Sequence, residues 1–142
     1  MITTSTTLAT PATISAPNRR LRAGAVGGAL LATSAVWLAG HALGVTFQVA
    51  AGGPPQTFTL PFLLGFTLQI ALAGWVTLAV LERYARHAMG IWTALGVTVL
   101  AVSFAPIALA GASAPTKAAL SLIHLSAAGV LLVTMRRSAA RA

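Results

Sequence analysis

The sequence predicts an all-α protein, an integral membrane four-helix bundle with four transmembrane helices and both termini cytoplasmic. Only 7% of its 142 residues are charged, 57% are hydrophobic, and the mean hydropathy is +0.87. A soluble domain has about 25% charged residues, so this chain has too little charge to cover a soluble surface. Disorder is excluded as well, because it requires low hydrophobicity and high charge. The helical domain is placed at 19–137.

Runs without Asp, Glu, Lys or Arg indicate the number of helices. These runs cover 23–81, 87–116 and 118–135, which are 59, 30 and 18 residues long. A membrane helix needs roughly 20 apolar residues, so the second and third runs hold one helix each. The first run is long enough for two, and Gly-Gly-Pro-Pro at 52–55 divides it. The predicted spans are about 23–49, 58–81, 89–111 and 117–135.

The flanks of these spans carry further signals. Ser113 followed by Pro115 is typical of a helix start, where Ser caps the first turn and Pro needs no N–H partner. Glu82 and Arg86 have the spacing of a helical ion pair, which favours a second helix that extends beyond its apolar run.

Residues 1–18 are rich in Thr, Ser, Ala and Pro and carry no charge, so we predict a disordered cytoplasmic tail. A second, short cytoplasmic tail is predicted at 138–142. The first span is longer than the apolar core of a cleaved signal peptide, which favours an uncleaved membrane anchor.

The positive charges predict the orientation. Eight Arg residues flank one side of the predicted spans, and Lys117 alone flanks the other. Because Lys and Arg accumulate in cytoplasmic loops, we expect a multi-pass protein of the bacterial plasma (inner) membrane with both termini inside. We interpret the net charge of +8 as topology signals that also attract the anionic head groups of the lipid bilayer. Nucleic acid is not expected as a partner.

Each predicted span carries a polar position expected to face the bundle interior. At 1.5 Å per residue, these positions lie roughly 10–16 Å below the outer helix ends. A proline in the third span frees a backbone carbonyl at the same level, because proline lacks an N–H. The candidate buried polar layer consists of His41, Gln69, Ser103, Pro106 and His124.

A helix-packing seam is predicted along the first span, where small residues recur at four-residue spacing. Its glycines are Gly24, Gly28, Gly40 and Gly44. Small residues let membrane helices approach closely. The seam is interpreted either as a dimer contact or as packing within the bundle, and the second interpretation is favoured.

The missing residue types exclude many activities. The chain has no Cys and no Asp, and Glu82 is its one carboxylate. A Ser-His-Asp triad, a pair of acid/base carboxylates and a carboxylate cage for a cation are therefore excluded. No enzyme activity, metal or cofactor is expected. The sequence favours a non-enzymatic protein that acts through a membrane-protein partner or as a homodimer.

Two alternatives remain open. One is a haem- or quinone-associated redox subunit that uses His124, with or without His41, since haem iron accepts axial His ligands. The haem would be of the b type. The other is a small-solute transporter, which would have to be oligomeric because four helices leave little room for a central path.

The last three spans resemble a known family. The residues that carry the resemblance are Leu81-Glu82-Arg83, Ile91-Trp92-Thr93, Ser103-Phe104-Ala105-Pro106 and Leu120-Ser121-Leu122-Ile123-His124-Leu125. They resemble a family of small four-helix membrane proteins found mainly in actinobacteria, a domain of unknown function. The resemblance implies Trp92, Ser103, Pro106 and His124 as pattern positions, without His41, and it implies no activity.

Overall fold

The computed structural model describes residues 16–139, which form four helices and one short hairpin. The helices are α1 (Ala16–Ala42), α2 (Leu60–Tyr84), α3 (Ala88–Leu109) and α4 (Ala114–Ala139). Between α1 and α2, strands β1 (Gln48–Val49) and β2 (Gln56–Thr57) pair antiparallel. The hairpin was not predicted from the sequence.

All four helices are long and apolar enough to cross a membrane. Their apolar segments are 22 to 25 residues long, with mean hydropathies of 1.5 to 2.0. The prediction of four such helices is confirmed. Residues 1–15 and 140–142, which hold most of the two predicted tails, lie outside the described residues. Helix α1 begins at Ala16, inside the tail that was predicted at 1–18.

The predicted end of the first span is wrong, because α1 ends at Ala42 rather than at residue 49. The Gly44 N–H donates to the His41 carbonyl and the Val45 N–H to the Gly40 carbonyl, at 3.0 and 2.9 Å. This is the Schellman arrangement, in which a residue of positive φ closes the helix. Gly44 has a φ of +80°. The chain after it is as apolar as a helix, so hydropathy alone did not locate this turn.

The helices pack in cyclic order, with α1 between α2 and α4 and with α3 on the opposite corner. Two buried clusters occupy the two ends of the bundle. We call one the hairpin end, where the hairpin packs on the helices, and the other the basic end, where the arginines flank the helix termini. The hairpin-end core comprises Phe47, Val49, Leu63, Ile107, Leu120 and Ile123. The basic-end core comprises Ala25, Leu78, Trp92 and Met135.

Much of the outer surface is apolar. Phe62, Val76 and Val102 are 56%, 62% and 64% exposed. Large exposed apolar areas on a soluble monomer are unusual, whereas a helix that crosses lipid needs them. The outward faces of α2 and α3 therefore have the chemistry of surfaces that contact lipid or other membrane helices.

Candidate functional site

The structure does not assemble the predicted polar residues into one layer. Gln69 and Pro106 are exposed on the outward faces of α2 and α3. Ser103 is partly buried, but its hydroxyl donates to the Leu100 carbonyl of the same helix at 2.6 Å. Among the described residues, the carbonyl freed by Pro106 thus gains no hydrogen-bond partner from Ser103 or from another helix.

His41 lies at the hairpin end of its helix rather than about 10 Å below that end, because α1 ends one residue later. It is exposed, and its ring stacks on Trp37 with centroids 4.9 Å apart and planes 6° apart. Trp37 in turn lies 5.8 Å from the ring of Phe47, with planes 22° apart. The three rings form an aromatic stack at the hairpin end.

His124 lies deeper, about 15 Å along α4 from its first residue. Its Nδ1 is 2.8 Å from the Leu120 carbonyl, which can only accept, so this nitrogen carries the proton. Its ring contacts Phe104, with centroids 6.5 Å apart. His41 and His124 therefore have different aromatic neighbours, and the matching depth that favoured a haem between them is absent.

The four glycines of the predicted seam divide into two kinds. A Cβ on Gly28 would lie 2.9 Å from Val130 of α4, and one on Gly40 would lie 2.8 Å from the Phe47 ring. A Cβ on Gly24 or Gly44 would meet nothing within 4 Å. Close packing within the bundle thus accounts for Gly28 and Gly40, while Gly24 faces outward and Gly44 belongs to a turn.

The inner face of α1 is built mainly from residues that the sequence analysis did not select. Ala25, Ala29 and Thr33 are fully buried at four-residue spacing. The Thr33 hydroxyl is 3.3 Å from the Thr67 hydroxyl of α2. This four-residue spacing is visible in the sequence. The predicted seam followed the glycines instead, and so it lies one residue away from the buried positions.

An ion pair at the basic end, buried on its Arg22 side and partly exposed on its Glu82 side, was also missed. The Nη2 of Arg22 lies 2.6 Å from the Oε1 of Glu82. The Arg22 side chain is 1% exposed, and its Nε and Nη1 have no hydrogen-bond partner among residues 16–139. The predicted Glu82–Arg86 pair is not formed, because α2 ends at Tyr84 and the carboxylate turns to α1 instead. Arg22 lies three residues before Ala25, on the inner face of α1. This spacing was the one feature of the sequence that could have predicted its burial.

A cavity of about 460 Å³ opens beside the hairpin. Its aromatic wall contains the stack of His41, Trp37 and Phe47, and its remaining side chains are uncharged. The Trp37 Nε1 donates to the Phe58 carbonyl at 3.2 Å, which joins α1 to the residues after β2. The full lining is Trp37, His41, Gly44, Val45, Thr46, Phe47, Gln48, Thr57, Phe58 and Thr59.

The outward face of α2 contains the other notable polar group. Gln69 is exposed, although the sequence analysis placed it inside the bundle. Buried Ala71 and Leu78 lie two and nine residues further on, so at about 100° per residue they are on the opposite side of the helix. Gly65 and Ala73, one turn away on either side of Gln69, are exposed too.

A family match covers nearly the whole chain. A model described as "Family of unknown function (DUF6069)" matches residues 13–141. This match confirms the resemblance to an uncharacterised family that the last three helices carry. No curated protein and no solved structure matches the chain.

Proposed function

Because the chain belongs to the family of unknown function DUF6069, we propose its role from its own surface. We propose a non-enzymatic integral membrane protein of the bacterial plasma membrane that acts by self-association through the outward face of α2. The two ends of the bundle support a membrane orientation with both termini inside. Arginines flank the helix termini at the basic end, whereas Lys117 lies at the hairpin end, and Lys and Arg favour the cytoplasmic side.

The exposed amide of Gln69 carries the proposal. Gln69 is the tenth residue of the 25-residue α2, about 14 Å from its first residue, so it lies within the hydrocarbon of a membrane that the helix crosses. An amide without a hydrogen-bond partner in an apolar medium costs roughly 2–7 kcal/mol. A partner for this side chain therefore stabilises the protein in the membrane.

A second copy of the chain supplies a suitable partner. A glutamine amide has both a donor and an acceptor, so two Gln69 side chains related by a two-fold axis satisfy each other. Gly65 and Ala73 leave space on either side of the amide. Small residues on both sides allow two backbones to approach closely enough for the hydrogen bonds to form.

Cysteine cross-linking in native membranes tests this proposal. The chain has no Cys, so a single introduced thiol reports one position. Ala73→Cys is expected to give a disulfide-linked dimer on mild oxidation. Ala101→Cys, on the exposed face of α3, is the matched control and is expected to stay monomeric.

Adding Gln69→Leu to Ala73→Cys separates a specific contact from random collision. The hydrogen bonds are worth about 1–2 kcal/mol in model helices, so the dimer yield at low expression is expected to fall about fivefold or more. Equal cross-linking of the α2 and α3 thiols would contradict self-association through α2. A cross-link from Ala73→Cys to a different protein would also contradict self-association, and it would identify that protein as the partner of this face.

The alternatives drawn from the sequence gain less support. A haem between His41 and His124 lacks the common level on which it was based. A transport path would have to run along the bundle, whereas the cavity is lined by α1 and the segment 44–59 alone. We therefore propose neither a haem site nor a transport path.

A further inference from the structure

We infer that the cavity at the hairpin end binds an uncharged molecule with a planar ring and hydrogen-bond acceptors, of the quinone class. The inference concerns binding and is independent of the proposed self-association, since the cavity is formed by α1 and the hairpin segment and not by α2. Its volume of about 460 Å³ falls within the range of small-molecule sites.

The aromatic stack provides the surface for a planar ring. Trp37 contacts both His41 and Phe47, with interplanar angles of 6° and 22°. Phe47 is 1% exposed and fixes the inner part of the stack, whereas His41 is exposed and lines the cavity. A further ring can therefore add to the stack at His41, in the offset parallel arrangement that aromatic groups favour.

The stack is held in place before any ligand arrives. The Trp37 indole N–H is bonded to the Phe58 carbonyl. Phe47 has a φ of 51°, a left-handed conformation that is uncommon for a non-glycine residue, and its ring packs at Gly40. An aromatic residue in a sparsely populated conformation persists only where its surroundings impose it. The ligand surface is thus preorganised by the hairpin.

The polar groups of the cavity select the charge and the acceptors of the ligand. Thr46, Thr57 and Thr59 offer hydroxyls, Gln48 offers an amide, and His41 offers a ring nitrogen. Within the part of the chain that the structure describes, no Lys, Arg, Asp or Glu lines the cavity. A charged ligand would lose hydration without a counter-charge, which is costly, whereas ring carbonyls can accept from the hydroxyls.

The position of the cavity favours a molecule that reaches it through the bilayer. His41 is in the last turn of α1, where the helix leaves the apolar span. Apolar side chains such as Leu38, 55% exposed, cover the outer surface just below it. A planar head group can therefore occupy the cavity while an apolar tail lies along α1 in lipid. Quinones carry this combination of a neutral ring, carbonyl acceptors and an apolar tail.

Fluorescence titration of the full chain in lipid nanodiscs tests the inference. The probe is menadione, a naphthoquinone ring without a tail, and the signal is saturable quenching of tryptophan emission. Trp37→Phe identifies the part of the signal that comes from the stack. Naphthalene and 1,4-cyclohexanedione, added as competitors, separate the contribution of the ring from that of the carbonyls.

His41→Ala is expected to weaken menadione binding about tenfold, since an aromatic contact and a hydrogen bond together are worth about 1.4 kcal/mol or more. His41→Phe, which keeps the ring, is expected to bind with intermediate affinity. His87→Ala, an exposed histidine at the other end, is the matched control and is expected to bind normally. Unchanged circular dichroism shows that the variants fold.

Quenching that rises linearly without saturation, or that is the same for His41→Ala and the parent chain, would overturn the inference, because it would report partition into lipid only. Competition by cyclohexanedione but not by naphthalene would also overturn it, since the stack would then have no role. Cross-linking through Ala73→Cys is unaffected by either result, so this inference and the proposed self-association fail separately.

Discussion

The hairpin end and the basic end close the same four helices in different ways. At the hairpin end, an inserted loop places Phe47 and Val49 into the core, and none of the described Lys, Arg or Glu residues lines the cavity. At the basic end, a smaller core is closed by the ion pair between Arg22 and Glu82. One end depends on the packing of a loop and the other on two charges.

This difference predicts which kind of substitution destabilises each end. A buried charge that loses its partner is expensive, whereas a packed loop tolerates losses that open it only locally. The basic end is therefore expected to be the more easily destroyed by one substitution. The hairpin end, which carries a cavity, is expected to open first in native-state hydrogen exchange.

Removing the negative charge of Glu82 is expected to have the largest effect. Glu82→Gln leaves the Arg22 guanidinium 1% exposed without a counter-charge. Breaking a buried pair in this way typically costs about 3–5 kcal/mol. The free energy of unfolding, measured in mixed micelles of SDS and a mild detergent, is expected to fall by that order.

The double variant Arg22→Met with Glu82→Gln sharpens this prediction, because an apolar replacement of both charges is often neutral. Recovery of most of the stability is expected. Arg83→Gln, which removes an exposed charge next to Glu82, serves as the control and is expected to change little. A Glu82→Gln variant as stable as Arg83→Gln would show that the pair does not close this end.

A methyl group on Gly40 is expected to have the next largest effect. Gly40→Ala would place a Cβ 2.8 Å from the buried Phe47 ring. Overpacking of this kind costs about 1–3 kcal/mol. Hydrogen exchange at the hairpin amides is expected to accelerate, with the basic end unchanged.

Gly24→Ala is the matched control on the same helix, because its Cβ would meet nothing within 4 Å. It is expected to be neutral or to stabilise by up to about 1 kcal/mol through helix propensity. Equal stability of the two alanine variants would contradict a tight contact between α1 and the hairpin.

Loss of the Lys117 amine is expected to have the smallest effect. The Nζ donates to the Ala108 carbonyl at 2.8 Å and so satisfies the last turn of α3. Lys117→Met is expected to cost about 0.3–1 kcal/mol, the usual value of a cation at a helix C-terminus. Exchange of the last α3 amides measures it, and Arg137→Met at the basic end is the control.

Sequence patterns predicted the number of helices but not the direction in which their residues point. Ser113 was expected to cap α4, and the structure confirms this, with the Thr116 N–H 3.4 Å from its hydroxyl. Gln69 was placed inside the bundle and is outside it. In a soluble helix the polar face marks the surface, whereas in these helices the outward-facing and core-facing sides are both apolar, so the pattern does not show which side faces the core.

The sequence by itself determined four apolar helices, the breaker between the first two, the clustering of arginines on one side and the absence of most catalytic groups. These properties depend on local composition and length. Only the tertiary structure decided that Phe47 fills the core and that Arg22 pairs with Glu82 across 60 positions. The physical reason is that these contacts join residues far apart in the chain. Local composition and spacing do not show which distant side chains will pack together.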